Sequence, residues 1–113
     1  EKYKMLISLI PKDLYFVIED ELSIIFQYLS EHRIKVNLIQ NSAISISFCI
    51  DNANNKTKQL IEKLGEDYKV LYNDQLELLT IRHYSEEAIA SVTKNRKLYI
   101  DQRSRHTAHF VFR

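Results

Sequence analysis

From Ile44 to Ile50 apolar residues alternate without a break with small ones. Ile44, Ile46, Phe48 and Ile50 share one face of a predicted strand, and Ala43, Ser45, Ser47 and Cys49 share the other. A second strand-like run, Val36 to Ile39, precedes it across a polar bend, Gln40-Asn41-Ser42, whose short side chains can hydrogen-bond nearby backbone. Ahead of this hairpin, Tyr3 to Ile10 reads as a nearly continuous apolar strand, closed by Pro11, which has no amide hydrogen for a ladder. Lys12 to Phe16 reads as a loop. From Val17 the spacing becomes helical, with Ile18, Leu22, Ile25, Phe26 and Leu29 on one stripe. Glu19, Asp20 and Glu21 suit the start of that helix and His32-Arg33 suits its end, on dipole grounds. Asp51 to Asn55 is a polar run. Lys56 to Gly65 predicts a second helix, Thr57, Leu60, Ile61 and Leu64 inward, with Gly65 as its cap. Tyr68 to Tyr72 predicts a strand and Asn73-Asp74 a turn. The order is β-α-β-β-α-β, a ferredoxin-like arrangement.

The pattern then partly repeats. Leu76 to His83 predicts a strand, Ser85 caps a short helix carrying Ala88, Ile89 and Val92, and the runs Leu98 to Asp101 and His106 to Phe112 flank the bend Gln102 to Arg105. The bends Gln40-Asn41-Ser42-Ala43 and Arg103-Ser104-Arg105-His106 stand in matching places, the mark of an internal duplication. The expected organisation is a first unit over 1–73 and a partial second unit over 74–113, within an α+β class.

Composition changes this picture mainly by exclusion. Among 113 residues there is one cysteine, so no disulfide can form within the chain, and a reducing cytoplasm is the expected home. No apolar run approaches the roughly 20 residues of a membrane-spanning helix. The chain starts without methionine or a signal-like segment, and is expected to be cut from something longer. A net charge of +1 gives no field for nucleic acid. The single glycine, Gly65, cannot build a phosphate-wrapping loop, so nucleotide binding is not expected. His106 and His109 point to opposite faces of one strand and His32 and His83 lack ligand-spaced partners, so no metal is expected. No serine or cysteine stands in a recognisable catalytic motif, and no catalytic residue is assigned; small acyl-phosphate hydrolases of similar fold use a glycine-containing loop with an arginine, which is lacking here. No cofactor is expected.

The run Val36-Asn37-Leu38-Ile39-Gln40-Asn41-Ser42-Ala43-Ile44-Ser45-Ile46-Ser47-Phe48 resembles a recurring strand, polar bend and Ser-x-Ser strand of aspartate kinase regulatory regions. The stretch Ser104 to Val111 is similar to the corresponding bend and strand of that family's second ACT unit. The resemblance implies a tandem ACT module: a ferredoxin-like ACT domain followed by a partial second ACT-like βαββ unit, part of which comes in the family from residues ahead of the first. It implies a homodimer, an effector such as lysine or threonine, and a kinase domain in the same parent chain. No segment of the Lys-Phe-Gly-Gly-Thr kind carried by that kinase domain occurs here.

Two lines converge on a candidate effector site. The first amides of the predicted helix, about Phe16 to Asp20, lack internal partners and can hold a carboxylate. Asn37, Gln40, Asn41 and Ser42 supply neutral donors and acceptors for an amino acid. The resemblance adds the positions Tyr15, Phe16, Ile18 and Asp20, Lys35 and Val36 beside Asn37, and Asn41 to Ala43. Lysine-sensing relatives often carry an acid where Asn37 stands, another near Ala43, and a glycine near Asp20; this chain departs from them at all three. The alternative is that Asn41 and Ser42 only make a tight turn and that the module only assembles. Arg96-Lys97 and Arg103-Ser104-Arg105 are expected to be solvated basic bends rather than an RNA surface.

Overall fold

The computed structural model describes residues 4–12, 18–42 and 44–113, with the side chain of Ile18 left aside. Its elements are β1 (Lys4–Pro11), α1 (Ile18–Glu31), β2 (Val36–Asn41), β3 (Ile46–Asp51), α2 (Asn55–Leu64), β4 (Tyr68–Arg82), α3 (Glu86–Thr93), β5 (Leu98–Arg103) and β6 (Thr107–Phe112). The hydrogen-bonded strand order is β2-β3-β1-β4-β6-β5. The fold is α+β, with three helices among the described residues. The chain divides into two compact units, Met5–Asp74 and Gln75–Arg113 with Lys4, and β4 contributes to both.

In the first unit, alternate residues of β1 (Met5, Ile7, Leu9) and β3 (Ile46, Phe48, Ile50) meet Ile25 and Leu29 of α1 and Leu60 and Leu64 of α2 in one core. Because one strand face takes both helices, α1 and α2 lie on the same side of the sheet, as a ferredoxin-like unit requires. Leu6, Ser8, Ser47 and Cys49 belong to the opposite face, where Ser8 and Ser47 share a hydrogen bond of 2.9 Å. In the second unit Ile89 of α3 packs on Ala108, Phe110 and Phe112 of β6, with Leu79, Ile81 and Tyr84 around them. Ser85 caps α3 as its sequence predicts, its Oγ accepting from Ala88 N–H at 3.1 Å.

Three local expectations are corrected. Ile44 does not join the core face: Ser42 N–H bonds to Ser45 C=O at 2.9 Å, β3 starts only at Ile46, and Ile44 is left 69% exposed in the reversal. Phe26 is likewise exposed, because Ile25 and Leu29 already fill the contact with the sheet. Asn73-Asp74 is not a turn. It lies within the 15-residue β4, where Gln75 alone takes a positive φ of 56° and absorbs the weak strand propensity without reversing the chain. Gly65 caps α2 as expected, at φ −63°, with its left-handed freedom unused.

α1 ends differently, in a Schellman motif without glycine. Arg33 sits at φ 55°, Arg33 N–H bonds to Ser30 C=O at 3.1 Å, and Ile34 N–H reaches back to Leu29 C=O at 3.0 Å. His32 Nδ1 lies 2.7 Å from the Tyr28 carbonyl, so the histidine acts by a specific contact just past the helix.

The duplication is exact in register over its second half. The offset that carries Val36 onto Leu98 also carries Asn41 onto Arg103, so β2 falls on β5 residue for residue. It carries the ends of α1, Glu31, onto the end of α3, Thr93, and the left-handed Arg33 onto the left-handed Asn95. The irregularity between Val36 and Leu38 falls on that between Leu98 and Ile100. Backbone bonds Asp51 N–H to Lys35 C=O and Arg113 N–H to Lys97 C=O correspond too. The bends match as Ser42-to-Ser45 on Ser104-to-Thr107, each closed by the same N–H to C=O bond, one residue away from the alignment expected from sequence.

Candidate functional site

The candidate residues are positioned by the start of α1 and by β2. Tyr15 and Phe16 lie outside the described residues. Ile18 opens α1, and Asp20 is exposed in its first turn beside Glu19 and Glu21, a crowd of acids that opposes a carboxylate ligand at that terminus.

β2 separates the rest into two groups. Lys35, Val36 and Asn37 stand at its start; Gln40, Asn41 and Ser42 stand at its end, about 15 Å on at strand spacing. Val36 packs against the core, while Lys35 is exposed. Asn37 is the extra residue of a β-bulge, since Val36 pairs with Ile50 and Leu38 with Cys49. The bulge turns its side chain to the end of β3, where Asn37 Nδ2 donates to Asp51 Oδ1 at 3.0 Å. At the other end, Gln40 and Asn41 are exposed, and Ser42 Oγ accepts from Ser45 N–H at 3.1 Å and pairs with Ser45 Oγ at 2.8 Å. That hydroxyl therefore builds the turn.

A pocket of about 400 Å³ opens beside α1 and was not expected from sequence. Its wall includes Lys12, Glu21, Glu66, Asp67 and Tyr68. The part-buried Tyr68 hydroxyl donates to the Glu21 carboxylate, and Lys12 Nζ donates to the Gly65 carbonyl at 3.3 Å. Burial, and then the Glu21 partner, push the Tyr68 hydroxyl well above its usual range. The two residues are 47 apart in sequence, so no local pattern pairs them.

Spacing also misses one histidine pair: His83 and His106 rings stand 5.8 Å apart between their centres. Among the described residues no group of three or more histidine, cysteine or acidic side chains could hold a metal ion. No helix of the described residues is long and apolar enough to cross a membrane.

No family model matches the chain, and no curated protein matches it either. Solved structures do. Escherichia coli aspartokinase III, in complex with lysine and aspartate in its T-state, has a TM-score of 0.74 over 96% of this chain, at 19% identity. The chain has the fold of an aspartokinase regulatory region. A C-terminal regulatory domain described for aspartate kinase of Porphyromonas gingivalis has a TM-score of 0.76 at 14% identity, with 96% of this chain and 79% of that one covered. Aspartate kinase of Clostridium acetobutylicum has a TM-score of 0.76 at 13% identity, over 98% of this chain. The chain spans only 27% of the E. coli enzyme and 29% of the clostridial one. At such identities the likeness establishes the fold, including the ACT-type arrangement read from Val36 to Phe48 and Ser104 to Val111.

Proposed function

We propose that this chain is an amino-acid-sensing regulatory region of an aspartate kinase, and that it acts as a homodimer attached to a kinase domain of the same parent chain. The fold carries the reading: an isolated regulatory domain of the same architecture is matched over 79% of its length, and the E. coli relative is a complex with lysine and aspartate. The expected organisation into a first ACT unit over 1–73 and a partial second over 74–113 belongs to this proposal.

The divided site supports a dimer. β2 is the outermost strand of its unit. Pairing it antiparallel with β2 of a second copy covers that edge. In such a pair, the Lys35-Val36-Asn37 end of one copy faces the Gln40-Asn41-Ser42 end of the other. Two groups that one chain holds apart then line one crevice beside the first turn of α1, which carries Asp20; Tyr15, Phe16 and Ile18 join the candidate set by the resemblance alone. The proposed ligand is lysine or threonine, held between two copies. An effector that binds one arrangement of the dimer more tightly shifts the population toward it, with a coupling of about 1–3 kcal/mol to the kinase.

A second reading is favoured by two observations: Ser42 Oγ is already engaged in the turn, and the acids of α1 oppose a carboxylate. On that reading the module pairs without sensing anything. Calorimetric titration with lysine, threonine and methionine separates the two, because saturable heat with one of them supports sensing and silence with all three supports assembly alone. Sedimentation at rising protein concentration tests the dimer independently.

A further inference from the structure

We propose that Asp51 is the positioning residue of this effector site, holding Asn37 so that the amide oxygen of Asn37 meets the α-ammonium group of the ligand. The inference rests on the amino-acid reading above and adds to it a residue from a different strand.

The bulge removes Asn37 from the regular alternation of β2 and sends its side chain across to the end of β3. A carboxylate can only accept a hydrogen bond, so the contact of 3.0 Å with Asp51 Oδ1 fixes which end of the Asn37 amide points where. The NH₂ group faces Asp51 and the carbonyl oxygen faces away from it. Asp51 is itself held by its backbone, its N–H bonding to Lys35 C=O at 3.4 Å. An amide oxygen with a carboxylate behind it attracts an ammonium group and disfavours a carboxylate.

The second unit gives an independent comparison, because the same backbone frame recurs there with the charge reversed. Tyr99 occupies the bulge and Arg113 the place of Asp51. The Arg113 guanidinium lies 5.9 Å from the Tyr99 ring centre and Lys97 Nζ lies 5.3 Å from it. Two cations over that ring repel an ammonium group. One frame thus carries two electrostatic characters, and residue 51 or its counterpart sets which.

The test compares wild type, Asp51→Asn and Asp51→Glu by calorimetry with L-lysine, L-threonine and L-methionine, and with the 2-hydroxy analogue of whichever binds. The expected result is a loss of about tenfold or more for Asp51→Asn, the scale of a charge-assisted contact. Asp51→Glu is expected to retain most of the affinity. Thermal midpoints are recorded beside the binding, and the preference of wild type for the amino acid over its 2-hydroxy analogue should collapse in Asp51→Asn. Equal binding by wild type and Asp51→Asn overturns the proposal, and so does an equal loss for the amino acid and its analogue. Silence of wild type with all three amino acids instead overturns the sensing reading on which it rests.

Discussion

Replacing Tyr68 with phenylalanine removes one hydroxyl from the wall of the pocket beside α1 and leaves the ring in the core. The hydroxyl donates to the Glu21 carboxylate, and a hydrogen bond to a charged group contributes about 1.5–3 kcal/mol. Glu21 is only partly buried and borders an open pocket, so water can replace the lost donor. The expected cost at pH 7 is therefore at the lower end, about 1–2 kcal/mol. The pH dependence is the sharper signature. Folding raises the Tyr68 hydroxyl above its unfolded value of about 10. Above that pH the unfolded chain releases a proton that the native chain keeps, so stability falls as pH rises, by up to about 1.4 kcal/mol per unit for this one group. The contribution is fully present below pH 10 or so and is lost on the way up to the folded value. Phenylalanine has no such proton. Urea unfolding of both proteins from pH 7 to 11.5 should show the gap constant up to about pH 10 and narrowing beyond it. A variant as stable as wild type at pH 7, or two curves that stay parallel through pH 11.5, refutes this account of the pair.

Other expectations test the frame around the site. Phe48→Ala empties the centre of the first core and should cost about 3–5 kcal/mol in the same urea assay. Arg33→Gly relieves the left-handed strain of the Schellman position and should raise stability by about 0.5–1 kcal/mol, even though it adds freedom to the unfolded chain. Ser85→Ala should cost about 1 kcal/mol by stripping the cap of α3, measured by the shift in thermal midpoint.

Local periodicity made most of the frame legible. Leu22, Ile25 and Leu29 place α1 against the sheet, Ile46, Phe48 and Ile50 mark the core face of β3, and the polar residue at 85 marks a helix start. The resemblance carried by Val36 to Phe48 and Ser104 to Val111 pointed to the fold that solved structures share. The misses have physical causes. Alternation alone could not say that the reversal at Ser42 to Ser45 strands Ile44 outside the core, because only the backbone bond there sets where β3 begins. Turn-forming residues at Asn73-Asp74 misled because they lie inside one 15-residue strand, β4, whose neighbours in the sheet are β1 and β6. The contacts that shape the candidate site, Asn37 with Asp51 and Tyr68 with Glu21, join residues far apart in sequence, and the first depends on a bulge that no residue pattern announces. The duplication was visible in the bends but off by one there, and only the shared register of β2 with β5 corrects it.

The central claim is that an amino acid binds the first unit along β2 and the start of α1. An amide chemical-shift map recorded during titration with lysine, threonine and methionine addresses it most directly. With one of them, saturable shifts should concentrate over residues 18–21, 35–42 and Asp51, and leave 97–104 in the second unit largely unmoved. Shifts centred on 97–104, or none with any of the three, contradict it.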